Sequence, residues 1–264
     1  NIQSVSDNNP YFYNSFKWSS LPELLNISRR GGIAMIDVGY PTLLFTLLQA
    51  VIAAFVLILL PLAFIRRKDK PGLSGRRNIV IYFISIGLAF LFIELAFIQK
   101  FTLILSQPLY AVAVTLCAFL IFSGLGSLYA QKKISTTSPG NIQTLLNRSV
   151  TLICTITLIY VFAFPYITDT IMAMSEPARI AAAIFLAAPL SFAMGMPFPL
   201  GLTATRNNDP QLMPWAWGIN GCASVLSAIL AILLAIEIGF SGVMLSAIAF
   251  YALAWMSQPT SSEQ

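Results

Sequence analysis

Seven long apolar runs separated by short polar loops restrict this chain to folds that sit in a bilayer. They cover residues 41–65, 78–98, 108–130, 149–171, 179–202, 215–238 and 241–255. All but the shortest, the last, match the roughly 20 residues a helix needs to cross about 30 Å of hydrocarbon. The runs are continuously apolar and lack the two-residue alternation of an outer-membrane barrel strand. The expected fold is all-α, a polytopic membrane helix bundle of about seven transmembrane helices. Composition agrees: 57% of residues are hydrophobic and only 9% charged, against roughly 25% charged in soluble domains. Three regions follow: an aromatic-rich extramembrane or interfacial segment over 1–39, a seven-helix transmembrane domain over 40–257 and a C-terminal tail over 258–264.

Positive charge sets the expected orientation. The loop after the first run reads RRKDKPGLSGRR and holds Arg66, Arg67, Lys68, Lys70, Arg76 and Arg77, an excess typical of cytoplasmic loops. With seven spans this places the N-terminus outside and the C-terminus inside. Lys132, Lys133, Arg148 and Arg206 then join the inner side, leaving Lys17, Arg29, Arg30, Lys100 and Arg179 on the outer one. The same loop suits anionic lipid headgroups or an acidic partner. Nucleic acid is not an expected partner, because the basic residues lack interleaved stacking aromatics.

The first 39 residues are polar and aromatic and show no signal-peptide pattern, as expected of a processed chain or of part of a longer one. Tyr11, Phe12, Tyr13, Phe16 and Trp18 precede Ser20-Leu21-Pro22-Glu23, which fits a capping box. Aromatics of this kind suit an interfacial helix or a docking surface for another subunit.

Cofactor chemistry finds little support. The sequence contains no histidine, which disfavours haem, zinc and Ser-His-Asp chemistry. Cys117, Cys154 and Cys222 fall singly in three different runs without CxxC spacing, so they read as small packing residues. No cofactor and no metal are expected.

Candidate functional or packing residues lie where the runs carry charge or helix breakers. Glu94 and Glu237 are the clear intramembrane carboxylates, and such groups are functional candidates because their desolvation is costly. Both are expected within about two turns of their span ends, on the outer side, where Lys100 and Arg179 flank spans. Proton or substrate handling and structural pairing both remain open for them. FAMGMPFPLG over residues 192–201 and PWAWGINGCASV over residues 214–225 mark two expected helix breaks. Pro197 and Pro199 remove backbone donors, and Gly218 and Gly221, either side of Asn220, add freedom to the next run. Interrupted helices build ligand sites in transporters, but they also shape rigid hairpins.

Small residues at helical spacing predict close helix contacts. Ala183, Ala187, Ser191 and Gly195 form one stripe and Gly221, Ser224, Ala228, Ala231 and Ala235 another. The short loop between them predicts an antiparallel hairpin of the fifth and sixth spans with the breaks at its inner end. Ser123, Gly124, Gly126 and Ser127 offer a similar surface on the third.

Several stretches resemble the membrane region of bacterial spermidine synthase-like integral membrane proteins. They are DNNPYFYNSFKW (7–18), IGLAFLFIELAFIQKF (86–101), FSGLGS (122–127), MGMPFPLGL (194–202) and WAWGINGCASV (215–225). In such proteins an aminopropyltransferase-like domain is joined to multiple spans. This sequence holds no strand–glycine–helix pattern and no acidic cluster, so the resemblance implies the membrane part without catalytic residues.

The expected function is that of a non-catalytic integral membrane subunit of the bacterial cytoplasmic (inner) membrane. It would anchor or organise a larger complex, with membrane lipids and other membrane protein subunits as partners. The alternative is a transporter or channel for a small, polyamine-like solute.

Overall fold

The computed structural model describes residues 8, 39–56, 60, 73–136 and 141–259. The aromatic cluster at Tyr11 to Trp18, the capping box, the basic residues Arg66 to Lys70 and the last five residues lie outside them. Seven α-helices and one 3-10 turn make up the described chain, and no strand occurs among the described residues. In chain order the helices are α1 (Gly39–Ala54), α2 (Leu73–Leu105), α3 (Pro108–Thr136), α4 (Ile142–Met172), α5 (Glu176–Met194), α6 (Pro197–Asn208) and α7 (Met213–Met256). Five helical stretches among the described residues are long and apolar enough to cross a membrane, with α5 and α6 counted as one. The 16 residues of α1 reach about 24 Å, short of a full crossing.

α2 is the core of the bundle. It is apolar on every face rather than along one stripe, the pattern of a helix enclosed by others. Tyr82, Phe83, Ala89, Phe92, Ile93, Ala96, Phe97, Phe101 and Ile104 are almost wholly buried. Phe97 makes edge contacts with Phe101, Phe119, Tyr160 and Phe164, at centroid separations of 5.4, 5.4, 5.6 and 5.3 Å. Edge-to-face pairs of this kind add about 0.5–1.5 kcal/mol each beyond area burial. Between helices in lipid, such packing replaces the missing hydrophobic drive.

α7 is too long for one crossing, since its 44 residues would reach about 66 Å as a straight rod. It folds back at Gly239, whose φ of 71° and ψ of 170° leave helical space. Ser227 Oγ, twelve residues before that turn, donates to Leu88 O at 2.8 Å. Phe250, eleven residues after it, packs on Phe92 at 5.7 Å. Leu88 and Phe92 are one turn apart on α2, so the two arms of α7 run side by side along the same stretch of it.

The hairpin expected between the fifth and sixth spans is not what the fold contains. The stripe of α5 packs on α3: a Cβ on Gly126 would run into the Phe192 carbonyl, and a Cβ on Gly195 into the Ser123 carbonyl. Two glycines set against each other's partner helix bring the backbones together. The second stripe belongs to α7, which packs chiefly on α2. Spacing marked the contact face of α5, whereas the buried face of α7 runs through Ala223, Ser227, Ala231 and Ala235, sharing only its last two members with the expected stripe.

The expected breaks are also milder. Between α5 and α6 only Gly195 and Met196 leave the helix, and both keep right-handed backbone. The Gly195 N–H still donates to Ser191 O at 3.1 Å and that of Met196 to Ala193 O at 3.2 Å. No break occurs at Gly218 or Gly221, because α7 runs through both, and space is open around Gly221.

Candidate functional site

The α5–α6 junction owes its shape to two prolines without N–H groups. Pro197 and Pro199 deprive the carbonyls of Ala193 and Gly195 of their fourth-residue donors. Tyr82, from the first third of α2, reaches across and donates its hydroxyl to Pro197 O at 2.7 Å. Its ring lies where a Cβ on Gly201 would sit, so glycine there admits the tyrosine. Phe198 is held between Phe83 at 5.6 Å and Trp217 at 4.7 Å, both edge-on. Tyr160 makes a matching bond to Leu186 O at 2.7 Å, in the turn before Pro189.

Pro197, Phe198, Pro199 and Trp217 form one wall of an open groove of about 680 Å³. α2 supplies Ile86, Gly87, Phe90 and Leu91, and α3 supplies Leu120, Ser123, Gly124 and Ser127. Met194, Gly195, Pro197, Phe198 and Pro199 come from the junction, and Trp217, Asn220, Ser224 and Tyr251 from both arms of α7. Gly87 matters because the Asn220 backbone and side-chain oxygens would stand 2.9 and 3.0 Å from a Cβ there. Its absence seats Asn220 against α2. Ser224 Oγ donates to Asn220 O at 3.0 Å. Among the described residues the lining is apolar and aromatic with hydroxyl and amide groups and no charged side chain, the chemistry of a pocket for a neutral molecule.

Four stretches singled out by sequence thus meet in one place: IGLAF, FSGLGS, MGMPFPLG and WAWGIN. No protein-family model, curated protein or solved structure matches this chain. The groove therefore has to be read from its own chemistry.

Of the candidate residues, Pro197, Pro199 and Asn220 line the groove; Glu94, Lys100, Gly218, Gly221 and Glu237 do not. The proposed outer-side cluster is not assembled. α2 continues to Leu105, so Glu94 sits eleven residues from its end rather than within two turns, and it is buried. Lys100 is buried inside α2 rather than flanking a span. Six residues from Glu94, it points about 120° away around the helix. Arg179 donates instead to Met174 O at 2.9 Å and Ser106 Oγ at 3.5 Å. Glu237 is exposed, half a turn before the Gly239 turn. Among the described residues no group of three or more Cys, Asp or Glu side chains is placed to hold a metal ion.

Sequence reasoning missed Tyr82, Gly87 and Tyr251 as parts of the site. An aromatic hydroxyl or a glycine inside an apolar run was the available signal, but nothing local says which helix it meets.

Proposed function

We propose that this chain is a non-catalytic, multi-pass subunit of a bacterial cytoplasmic membrane that anchors or organises a larger complex. On this reading it is kin to the membrane region of spermidine synthase-like proteins. The observation that carries it is where the polar groups go. Tyr82, Tyr160 and Ser227 each donate to a carbonyl of another helix. Gly126 and Gly195 lock α3 to α5. Such a bundle is built as a rigid platform.

In this reading there are seven crossings: α2, α3, α4, the α5–α6 unit and the two arms of α7, with α1, described over 16 residues, as part of the seventh. An N-terminus outside and a C-terminus inside is supported by Arg77, Lys132, Lys133, Arg148 and Arg206 lying toward one end of the alternating helices, as the positive-inside bias requires. Purification in mild detergent after in-cell crosslinking tests the anchoring role. Stoichiometric recovery of another membrane protein is expected, and a monodisperse monomer without a partner overturns it.

The groove favours a second reading, a carrier or receptor for a small solute. Its uncharged lining suits a neutral amphiphile better than a polyamine, whose charges call for carboxylates. Glu94 lies outside the groove, so Glu94→Gln leaves uptake into proteoliposomes unchanged on this reading, while Asn220→Ala lowers it. Loss with Glu94→Gln and none with Asn220→Ala would sink it.

A further inference from the structure

We infer that the furrow between the end of α3 and the start of α4 binds the phosphate headgroup of an anionic phospholipid. α3 and α4 follow one another in the chain, yet they pack on α5 rather than on each other. Their facing ends enclose a cleft of about 310 Å³ lined by Lys133, Asn141, Thr144, Leu145 and Arg148. Two cations from two helices face one space, and among the described residues no acidic side chain lines it. Asn141 and Thr144 add neutral hydrogen-bonding groups, and the Asn141 side chain makes no capping bond to its own helix. Phosphate oxygens are the natural acceptors for such a set.

Position distinguishes a lipid from free phosphate. The cleft lies where two membrane-length helices end, the level of the headgroups. Lys133 stands over the Tyr129 ring at 5.7 Å, an arrangement that holds an ammonium at the interface. Toward the bilayer centre both helices present exposed apolar side chains, among them Leu125 and Leu128 on α3 and Leu152 on α4. Those surfaces take the acyl chains of a lipid whose headgroup fills the cleft. The inference rests on the chain spanning a bilayer and is independent of its anchoring role.

The test is native mass spectrometry of the full chain in neutral detergent with short-chain phosphatidylglycerol or phosphatidylcholine at equal concentration. The wild-type chain is expected to retain phosphatidylglycerol preferentially, and K133Q/R148Q to lose about tenfold of that retention, in line with the attraction of one basic residue or more to an anionic surface. Arg148→Gln alone gives an intermediate loss, and K133R/R148K keeps the lipid and so controls for folding. Lys132→Gln, next to the cleft but outside its lining, changes nothing. Excess inorganic phosphate leaves the bound lipid in place. Equal retention of the two lipids, unchanged retention in K133Q/R148Q, an equal loss with Lys132→Gln, or displacement by inorganic phosphate would each overturn the inference.

Discussion

The side-chain oxygen of Asn8 accepts two hydrogen bonds from Ser241, at 2.8 Å from its backbone N–H and 2.7 Å from its hydroxyl. The Asn8 carbonyl takes the neighbouring Phe240 N–H at 3.0 Å. The second arm of α7 begins just after the Gly239 turn, and its first N–H groups have no carbonyl a turn earlier to bond. A residue 233 positions away does the work of an N-cap. Asn8→Ala is expected to cost about 1 kcal/mol, the usual loss for an N-cap side chain, while Asn8→Asp keeps the acceptor and most of the stability. Thermal unfolding in detergent and amide exchange at residues 240–243 report it. Unchanged exchange in Asn8→Ala would show that the cap contributes nothing.

The α3–α5 contact makes a sharper contrast. Gly195→Ala and Gly126→Ala each drive a methyl group into a backbone carbonyl of the other helix, whereas Gly124 has open space around it. The first two are expected to lower the melting temperature by several degrees or abolish folding, at about 1–3 kcal/mol for overpacking. Gly124→Ala serves as the neutral control. Equal melting of all three would mean that α3 and α5 separate freely.

Ser106 gives a prediction of opposite sign. It turns the chain between α2 and α3 with a φ of 58°, a region in which an L side chain costs about 1–2 kcal/mol and glycine does not. Among the described residues its hydroxyl takes a long 3.5 Å contact from Arg179. Ser106→Gly is therefore expected to raise thermal stability by roughly 1 kcal/mol. A fall in melting temperature would show that the Arg179 contact outweighs the strain.

Tyr82→Phe removes only the hydroxyl that bonds Pro197 O. Interhelical hydrogen bonds in bilayers average about 0.6 kcal/mol and reach about 1.7, so the loss should fall in that range. It should also increase the chemical accessibility of a cysteine placed at Ser123 on the groove wall. No change in that accessibility would show that the junction holds its shape without Tyr82.

How far the sequence reached depends on the range of the physics involved. Apolar run length located the helices of the bundle, and the gap between residues 238 and 241 marked the place where Gly239 turns the chain. The second run was drawn too short because Gln99 and Lys100 resemble the polar edge of a span. The helix goes on through FTLIL, so Lys100 is buried in the bundle. Helical spacing revealed the small-residue face of α5 but not that the stripe ending at Gly195 meets Ser123. That pairing depends on how the helices are arranged, and each stripe is compatible with several neighbours. The groove was half legible: Pro197, Pro199 and Asn220 stood out as breakers or as an amide in an apolar run. Gly87 gained meaning only from Asn220 beside it in space, and Tyr82 only from Gly201 and the Pro197 carbonyl.

The cap on the Gly239 turn also bears on the order in which the protein is assembled during synthesis. Asn8 leaves the ribosome more than 230 residues ahead of the N–H groups it will bond. The pair of α7 arms is therefore completed by the earliest described residue, and this contact can close only after residue 241 has been made.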